Sequence, residues 1–291
     1  MTLIRYEIFR KVVETGSLTK AAEALNMTQS AISHALNNFE KEVGLPLLNR
    51  ERSGVKLTTA GQALLPSILG VLNKDEEFKQ TIAQLKGLEI GSLKIATFSS
   101  VGRFWLPQLL KEFQKGFPNV EVTLFSGYYH QIYDMIKKGQ VDFAFLPEAV
   151  SEGVKFLPLK EDPMYVVIHQ SNPLSQLDAI PVKALNNEAF IAPKWGLNHD
   201  VERIIHTHNL KLNIRYEIQE DQAIIAMVRQ GLGLSILPSL TIGEVPEDVV
   251  KVPLKEGYQR TIGIGYTSTT LSPAATQFIE LIQRWLAEHF I

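Results

Sequence analysis

The chain has 291 residues, enough for two or three modest domains with cores of their own, and its 45 % hydrophobic content argues against disorder. It has no cysteine, which excludes a disulfide framework and a cysteine zinc site and fits a reducing cytoplasm. Net charge is −2, with residues 1–60 net basic (eight basic side chains, six acidic) and the rest net acidic, an asymmetry too mild to mark a nucleic-acid binder. Residues 3–15 place Leu3, Ile4, Ile8, Phe9, Val12 and Val13 at helical spacing, and Gly16 stands where a helix ends left-handed. Ser17 is the expected N-cap of a second helix carrying Leu18, Ala21, Ala22 and Leu25, whose alanines leave room for a close helix crossing.

A third helix is predicted over about 28–43. Steps of ~100° per residue place Ile32, Ala35, Leu36, Phe39 and Val43 on one face. Ser30, Ser33, His34, Asn37 and Lys41 fall opposite, with Thr28 and Gln29 at the N-terminal edge. Short hydrogen-bonding side chains, rather than a Lys/Glu mixture, can reach base edges in a major groove, as in a helix-turn-helix. Periodicity alone fits a solvated helical hairpin equally well. Residues 44–57 read as strand, Ser53-Gly54 turn and strand. By itself this is a basic loop; after a helix-turn-helix it is a wing that sets Arg50, Arg52 and Lys56 near a phosphate backbone.

Thr58 caps a long helix reaching about Leu85. Leu64, Ile68, Val71, Phe78, Ile82 and Leu85 follow steps of four and three, interrupted by Asp75, which is a coiled-coil seam with one polar position. Pro66 predicts a bend near Ala63. The stripe either packs on its own domain or pairs with a second copy. Pairing sets two recognition helices at one spacing and predicts an inverted-repeat operator in double-stranded DNA.

Beyond Gly91 strands and helices alternate. Strands are expected at 93–97, 120–125, 141–146, 165–169, 190–192, 213–218, 234–237 and 261–266. Helices are expected at 104–117, 131–138, 199–209, 221–230 and 273–289. The expected organisation is a winged helix-turn-helix over 1–58, a linker and dimerisation helix over 59–87, and a two-lobed α/β domain over 88–291. The first lobe takes about 88–161 and 266–291, the second about 162–265. Ligands of open α/β sheets bind at the carboxyl ends of strands. That rule nominates Thr97, Ser99 and Ser100 with Arg103, and Tyr128 and His130 from the 126–130 loop. It also nominates Glu148, Lys194, Trp195 and Asn198, and Asp221 from the 220–222 loop. Ser99 and Asp221 also fit as plain helix caps. A small carboxylate is the favoured ligand class, with acidic neighbours able to neutralise Arg103 and Lys194.

The N-terminal run carries a specific pattern: Val13-Glu14-Thr15-Gly16-Ser17, Ala21-Ala22, Thr28-Gln29-Ser30-Ala31-Ile32-Ser33, Phe39-Glu40, Val43-Gly44, Arg50, Leu57-Thr58 and Ala60-Gly61. In this order it resembles the LysR-type transcriptional regulators. Weaker matches, including Phe117-Pro118, Glu161-Asp162 and Gly231–Pro238, extend the resemblance over nearly the whole chain. It implies that Gln29, Ser30, Ser33 and His34 face DNA, that Arg50 lies at the wing, and that the C-terminal part resembles periplasmic solute-binding proteins. It further implies a tetramer, regulation by a small-molecule effector, and RNA polymerase as a further partner. Leu48 and Phe39 depart from the usual residues as a repacked pair, and Ser53 replaces a common arginine.

Other readings are a solute-binding module or an α/β metabolic enzyme with a helical appendage. Neither accounts for residues 1–60. Gly231-Leu-Gly233 lacks the third glycine and the helix of a dinucleotide loop, and there is no Gly-x-Ser-x-Gly elbow or phosphate loop. His199, His206 and His208 supply too few ligands for a metal. No cofactor, metal or catalytic residue is expected. Residues Met1–Glu7 meet charge too early for a signal peptide, and no window approaches the ~18 apolar residues of a membrane span, so a cytoplasmic location without membrane contact is expected.

Overall fold

The computed structural model describes residues 2–51, 54–85, 91–194, 199–267 and 271–289. Three helices open the chain: α1 (Leu3–Thr15), α2 (Leu18–Ala24) and α3 (Gln29–Val43). Gly16 ends α1 at φ 62°, a left-handed position that disfavours a side chain. Thr28 caps α3, its Oγ1 accepting from the Ala31 N–H at 3.2 Å. Ile8, Phe9, Val12, Ala21, Ala22, Ile32, Leu36 and Phe39 are buried together, and Tyr6 and Phe9 meet the Phe39 ring edge-on at 5.4 and 5.8 Å. Strands β1 (Leu48–Glu51) and β2 (Gly54–Leu57) form the antiparallel hairpin, with Arg50 opposite Val55.

Helix α4 (Thr59–Leu85) contains Pro66. Its Leu65, Ile68, Leu69 and Leu72 are buried against the three-helix core. Val71 and Phe78 point outward, Phe78 with 65 % of its surface exposed. The expected seam therefore divides: Ile68 serves the helix's own domain, while Val71 and Phe78 face solvent in the single chain. Asp75 is paired with Lys79 at 2.7 Å. The Leu85 side chain lies outside those described.

The rest of the chain runs β3 (Gly91–Thr97), α5 (Ser99–Phe104), α6 (Leu106–Gly116), β4 (Val120–Ser126), α7 (Tyr129–Lys137), β5 (Phe143–Pro147) and β6 (Lys155–His169). It continues with β7 (Ala189–Pro193), α8 (His199–His208), β8 (Asn213–Ile218), α9 (Asp221–Arg229), β9 (Ser235–Pro238), α10 (Ser239–Ile242), β10 (Val249–Pro253), β11 (Gln259–Tyr266) and α11 (Pro273–His289). The main sheet has the order β10-β6-β11-β5-β3-β4, with β9 also on β6. β3 is parallel to β4 and β5, and β7 is parallel to β8. β6 pairs with β11 over residues 155–163 and with β9 and β10 beyond them, so one strand runs through both lobes.

Four features differ from the sequence reading. The helix expected at 104–117 is α6, which starts at Leu106; ahead of it stands a separate short helix, α5, that ends at its C-cap Trp105, where Pro107 has no N–H to continue the ladder. The strand expected at 165–169 begins at Lys155, and β10 had no counterpart. The return from the second lobe begins at Gln259, so β11 belongs with the first sheet. Charged residues in these strands (Lys160, Glu161, Asp162, Arg260) interrupt the apolar pattern that marks a strand in sequence.

Candidate functional site

Two surfaces hold the residues nominated above. On α3, Ile32, Leu36 and Phe39 turn inward. Thr28, Gln29, Ser30, His34 and Asn37 are exposed and Ser33 is half-buried, so the hydroxyl and amide groups form one accessible face. The wing lies against it: Arg50 donates from Nη1 to Ser33 Oγ at 3.0 Å and from Nη2 to Asn37 Oδ1 at 2.6 Å. Glu40 accepts from the Leu47 and Leu48 N–H groups at 2.6 and 3.0 Å, fixing the chain as it enters β1. Lys56 pairs with Glu51 at 3.2 Å, and His34 Nδ1 lies 3.2 Å from Asn38 Nδ2. Arg52 lies outside the described residues. The side chains on this face are donors or two-way groups, and Arg50 is a fork able to hold phosphate.

The second surface is a cavity of about 550 Å³ between the lobes. Ser99 and Ser100 reach it from the start of α5, Ser126, Gly127, Tyr128, Tyr129 and Gln131 from the approach to α7 and its first turn, and Gln219, Glu220 and Asp221 from the approach to α9. Thr241 and Arg260 form its deep wall. Arg260 is 3 % exposed and donates from Nε to Asp162 Oδ2 at 2.9 Å, with Nη2 2.7 Å from the same oxygen. Nη1 donates to the Tyr129 hydroxyl at 2.7 Å, and Nη2 to Ser100 Oγ at 3.1 Å and Thr241 Oγ1 at 3.4 Å. Phe98 lies under the guanidinium, 5.1 Å from ring centre to Cζ. Asp162 also accepts from the Leu240 N–H at 2.9 Å.

This arrangement has a chemical consequence. A guanidinium can only donate, so Ser100, Tyr129 and Thr241 must each accept from it. Each keeps its own O–H proton, which its contact with Arg260 does not use. Burial pushes the Tyr129 hydroxyl above its ordinary range, against the pull of Arg260, so it remains a donor at neutral pH. Three hydroxyl protons not used by Arg260 thus line a buried wall, while Glu220 and Asp221 stand at the second lobe's edge. Glu220 is committed to capping α9, accepting from the Gln222 and Ala223 N–H groups at 3.1 and 2.8 Å.

Of the residues nominated for this cleft, Ser99, Ser100, Tyr128 and Asp221 line it. Thr97 lies beneath, its hydroxyl donating to Phe98 O at 3.2 Å. Arg103 projects outward over the Phe104 ring, 5.1 Å from its centre. His130 stacks outside on Tyr128, Glu148 opens an exposed turn, and Lys194 pairs with Glu217 at 2.7 Å on the surface. Trp195 and Asn198 lie outside the described residues. Sequence reading passed over Arg260, Thr241, Gln131 and Gln219. The signal available for Arg260 was a lone charge in front of an apolar strand, which requires a buried partner.

Comparison with known proteins bears on both surfaces. The pattern described as "Bacterial regulatory helix-turn-helix protein, lysR family" matches residues 3–62, and "LysR substrate binding domain" matches residues 86–287. The chain is 33 % identical over 285 residues to the uncharacterized HTH-type transcriptional regulator YvbU of Bacillus subtilis, covering 97 % of each. It is also 33 % identical to the HTH-type transcriptional activator CmpR of Synechocystis sp., covering 81 % of this chain and 78 % of that one. Its fold is similar to that of full-length OxyR from Pseudomonas aeruginosa, with a TM-score of 0.76, 22 % identity, and coverage of 98 % and 94 %. These relatives bear the names of regulators, not of enzymes. Among the described residues no helix is long and apolar enough to cross a membrane.

Proposed function

We propose, from the premise that this chain belongs to the LysR family of bacterial helix-turn-helix regulators, how its two surfaces divide the work of regulation. In the cytoplasm, α3 enters the major groove of operator DNA with Thr28, Gln29, Ser30, Ser33, His34 and Asn37 toward base edges. Arg50 and Lys56 take phosphates, which adds affinity without sequence preference. Val71 and Phe78, exposed along α4, meet a second copy, so two recognition helices read an inverted repeat, and two dimers make a tetramer.

The cleft binds the effector by an oxygen-rich end. The single observation that carries this reading is the triad of Ser100, Tyr129 and Thr241 hydroxyls, each oriented by Arg260 and each with a proton to give. A carboxylate on a small molecule suits those three donors. Asp162 already balances the Arg260 charge, and Glu220 and Asp221 at the rim disfavour a second negative group. Ligand binding across the cleft selects one relative position of the lobes and so shifts the assembly between states of different operator affinity.

Selection from a random duplex library tests the first part: inverted repeats should emerge, and a set without dyad symmetry would overturn it. Thermal shift with monocarboxylates (lactate, glycolate) and dicarboxylates (succinate, malonate) tests the second. Monocarboxylates should stabilise the wild type more than dicarboxylates, and Ser100→Ala or Thr241→Val should erase the difference. Stabilisation that survives both substitutions would place the ligand elsewhere.

A further inference from the structure

Helix α7 starts in the cleft and ends on the DNA-binding domain. At its start the Tyr129 hydroxyl holds Arg260, and the neighbouring Tyr128 hydroxyl donates across the lobes to Gln219 Oε1 at 3.2 Å. Its middle is anchored by Ile132 and Ile136, both fully buried. At nine residues and ~1.5 Å each, the helix spans roughly 13 Å. It then ends tightly, with the Gly139 and Gln140 N–H groups donating to Ile136 O and Met135 O at 3.0 and 2.9 Å. Gly139 takes φ 64° against the linker helix, where an added Cβ would lie 2.4 Å from Leu69 Cδ2.

The next side chain leaves the lobe altogether. Gln140 Nε2 donates to the backbone carbonyl of Glu14 at 3.1 Å, in the last turn of α1. Carbonyls there have no partner within their own helix. Two residues on, Gly16 O accepts from the Val55 N–H of the wing at 2.9 Å, and a Cβ on Gly54 would lie 2.9 Å from that same Gly16 oxygen. Val55 faces Arg50 in the hairpin, and Arg50 holds Ser33 and Asn37. Cleft, α7, Gln140, the end of α1, wing and recognition helix are therefore joined by direct contacts within one chain.

We infer that Gln140 is a positioning residue that passes the state of the cleft to the wing and recognition helix, with α7 as the moving part. Packed helices shift by sliding about 1–2 Å as rigid bodies. A shift at Tyr128–Tyr129 reaches Gly139 and Gln140 undiminished, and there it either keeps or breaks the bond to Glu14. The inference rests on reading the cleft as the effector site, but its test needs no effector.

Hydrogen exchange of the full-length protein is measured for wild type, Tyr128→Phe, Gln140→Ala, and the double variant. Tyr128→Phe removes the cross-lobe bond and should change exchange at residues 12–16 and 54–57 by about threefold or more. In the Gln140→Ala background that change should vanish, while the change at the start of α7 persists. Gln140→Lys, which keeps a donor, should restore the transfer, and Gln140→Glu, which sets an acceptor against Glu14 O, should not. A Tyr128→Phe effect confined to α7, or one that reaches residues 12–16 equally without Gln140, overturns the inference. Carboxylates that fail to bind the cleft would remove the effector reading and leave this measurement untouched.

Discussion

The recognition helix and the interlobe cleft present polar groups in opposite ways. On α3 the hydroxyls and amides are mostly exposed and held by local contacts, Thr28 with Ser30, His34 with Asn38, and Arg50 from the wing on Ser33 and Asn37. In the cleft, Ser100, Tyr129 and Thr241 are buried and tied to one cation, Arg260, itself tied to Asp162. The first surface should tolerate substitution and lose only recognition. The second should lose stability and binding together, because a buried charge network fails as a unit.

The sharpest way to break this contrast is Arg260→Ala. It leaves Asp162 buried without its cation and should cost about 3–5 kcal/mol in urea unfolding. Arg260→Met combined with Asp162→Leu should recover most of that loss and still fail to bind carboxylates. A cost under about 1 kcal/mol for the single change would show that the network is not what holds the lobes. Next comes the pair on α3. Leu36→Ala should cost about 2–5 kcal/mol in stability by leaving a cavity. Gln29→Ala should leave the unfolding curve within about 0.5 kcal/mol of wild type. It should nonetheless weaken operator binding by about 1–3 kcal/mol in a fluorescence titration. Equal operator affinity would remove Gln29 from the readout.

Smaller effects sharpen the comparison. Arg50→Ala and Lys56→Ala should each reduce the slope of log affinity against log salt by about 1; Lys56→Ala should weaken all duplexes alike, while Arg50→Ala, which also frees Ser33 and Asn37, should weaken the operator more. The smallest concerns Asp142, whose Oδ2 accepts from the Lys94 N–H at 2.7 Å near the seam between the domains. Burial raises its carboxyl above the usual range, with the Lys94 N–H pulling the other way. A group raised on folding favours the folded state at pH below its unfolded value and loses that contribution as pH climbs through the folded one. Asp142→Asn keeps the acceptor and should flatten this dependence, so the wild type should gain on the variant as pH falls. Parallel melting temperatures of the two proteins between pH 4 and 7 would show that the group titrates normally.

Sequence reading reached far on one surface and stopped short on the other. Ile32, Leu36 and Phe39 recur at helical spacing, so the opposite face of α3 follows without a structure. The 3.6-residue period places every residue of one helix relative to its neighbours. Thr28 and Gly16 were legible as caps for the same local reason. In the cleft, Ser99, Ser100, Tyr128 and Asp221 were reachable by rule, since they follow strands at the ends where ligands sit. The same rule points to Arg103 and Lys194, yet each turns outward to a partner of its own.

What the amino-acid order determined alone is local: the caps, the faces of the amphipathic helices, the alternation of strands and helices, and the family pattern of the first sixty residues. What only the tertiary structure decided is which distant groups meet. Arg260 lies 160 positions from Ser100 and 98 from Asp162. Gln140 lies 126 positions from Glu14. No periodicity connects such residues. Their pairing follows from strand order and from the requirement that a buried charge or an orphan carbonyl find a partner, and the folded chain alone determines where that partner stands.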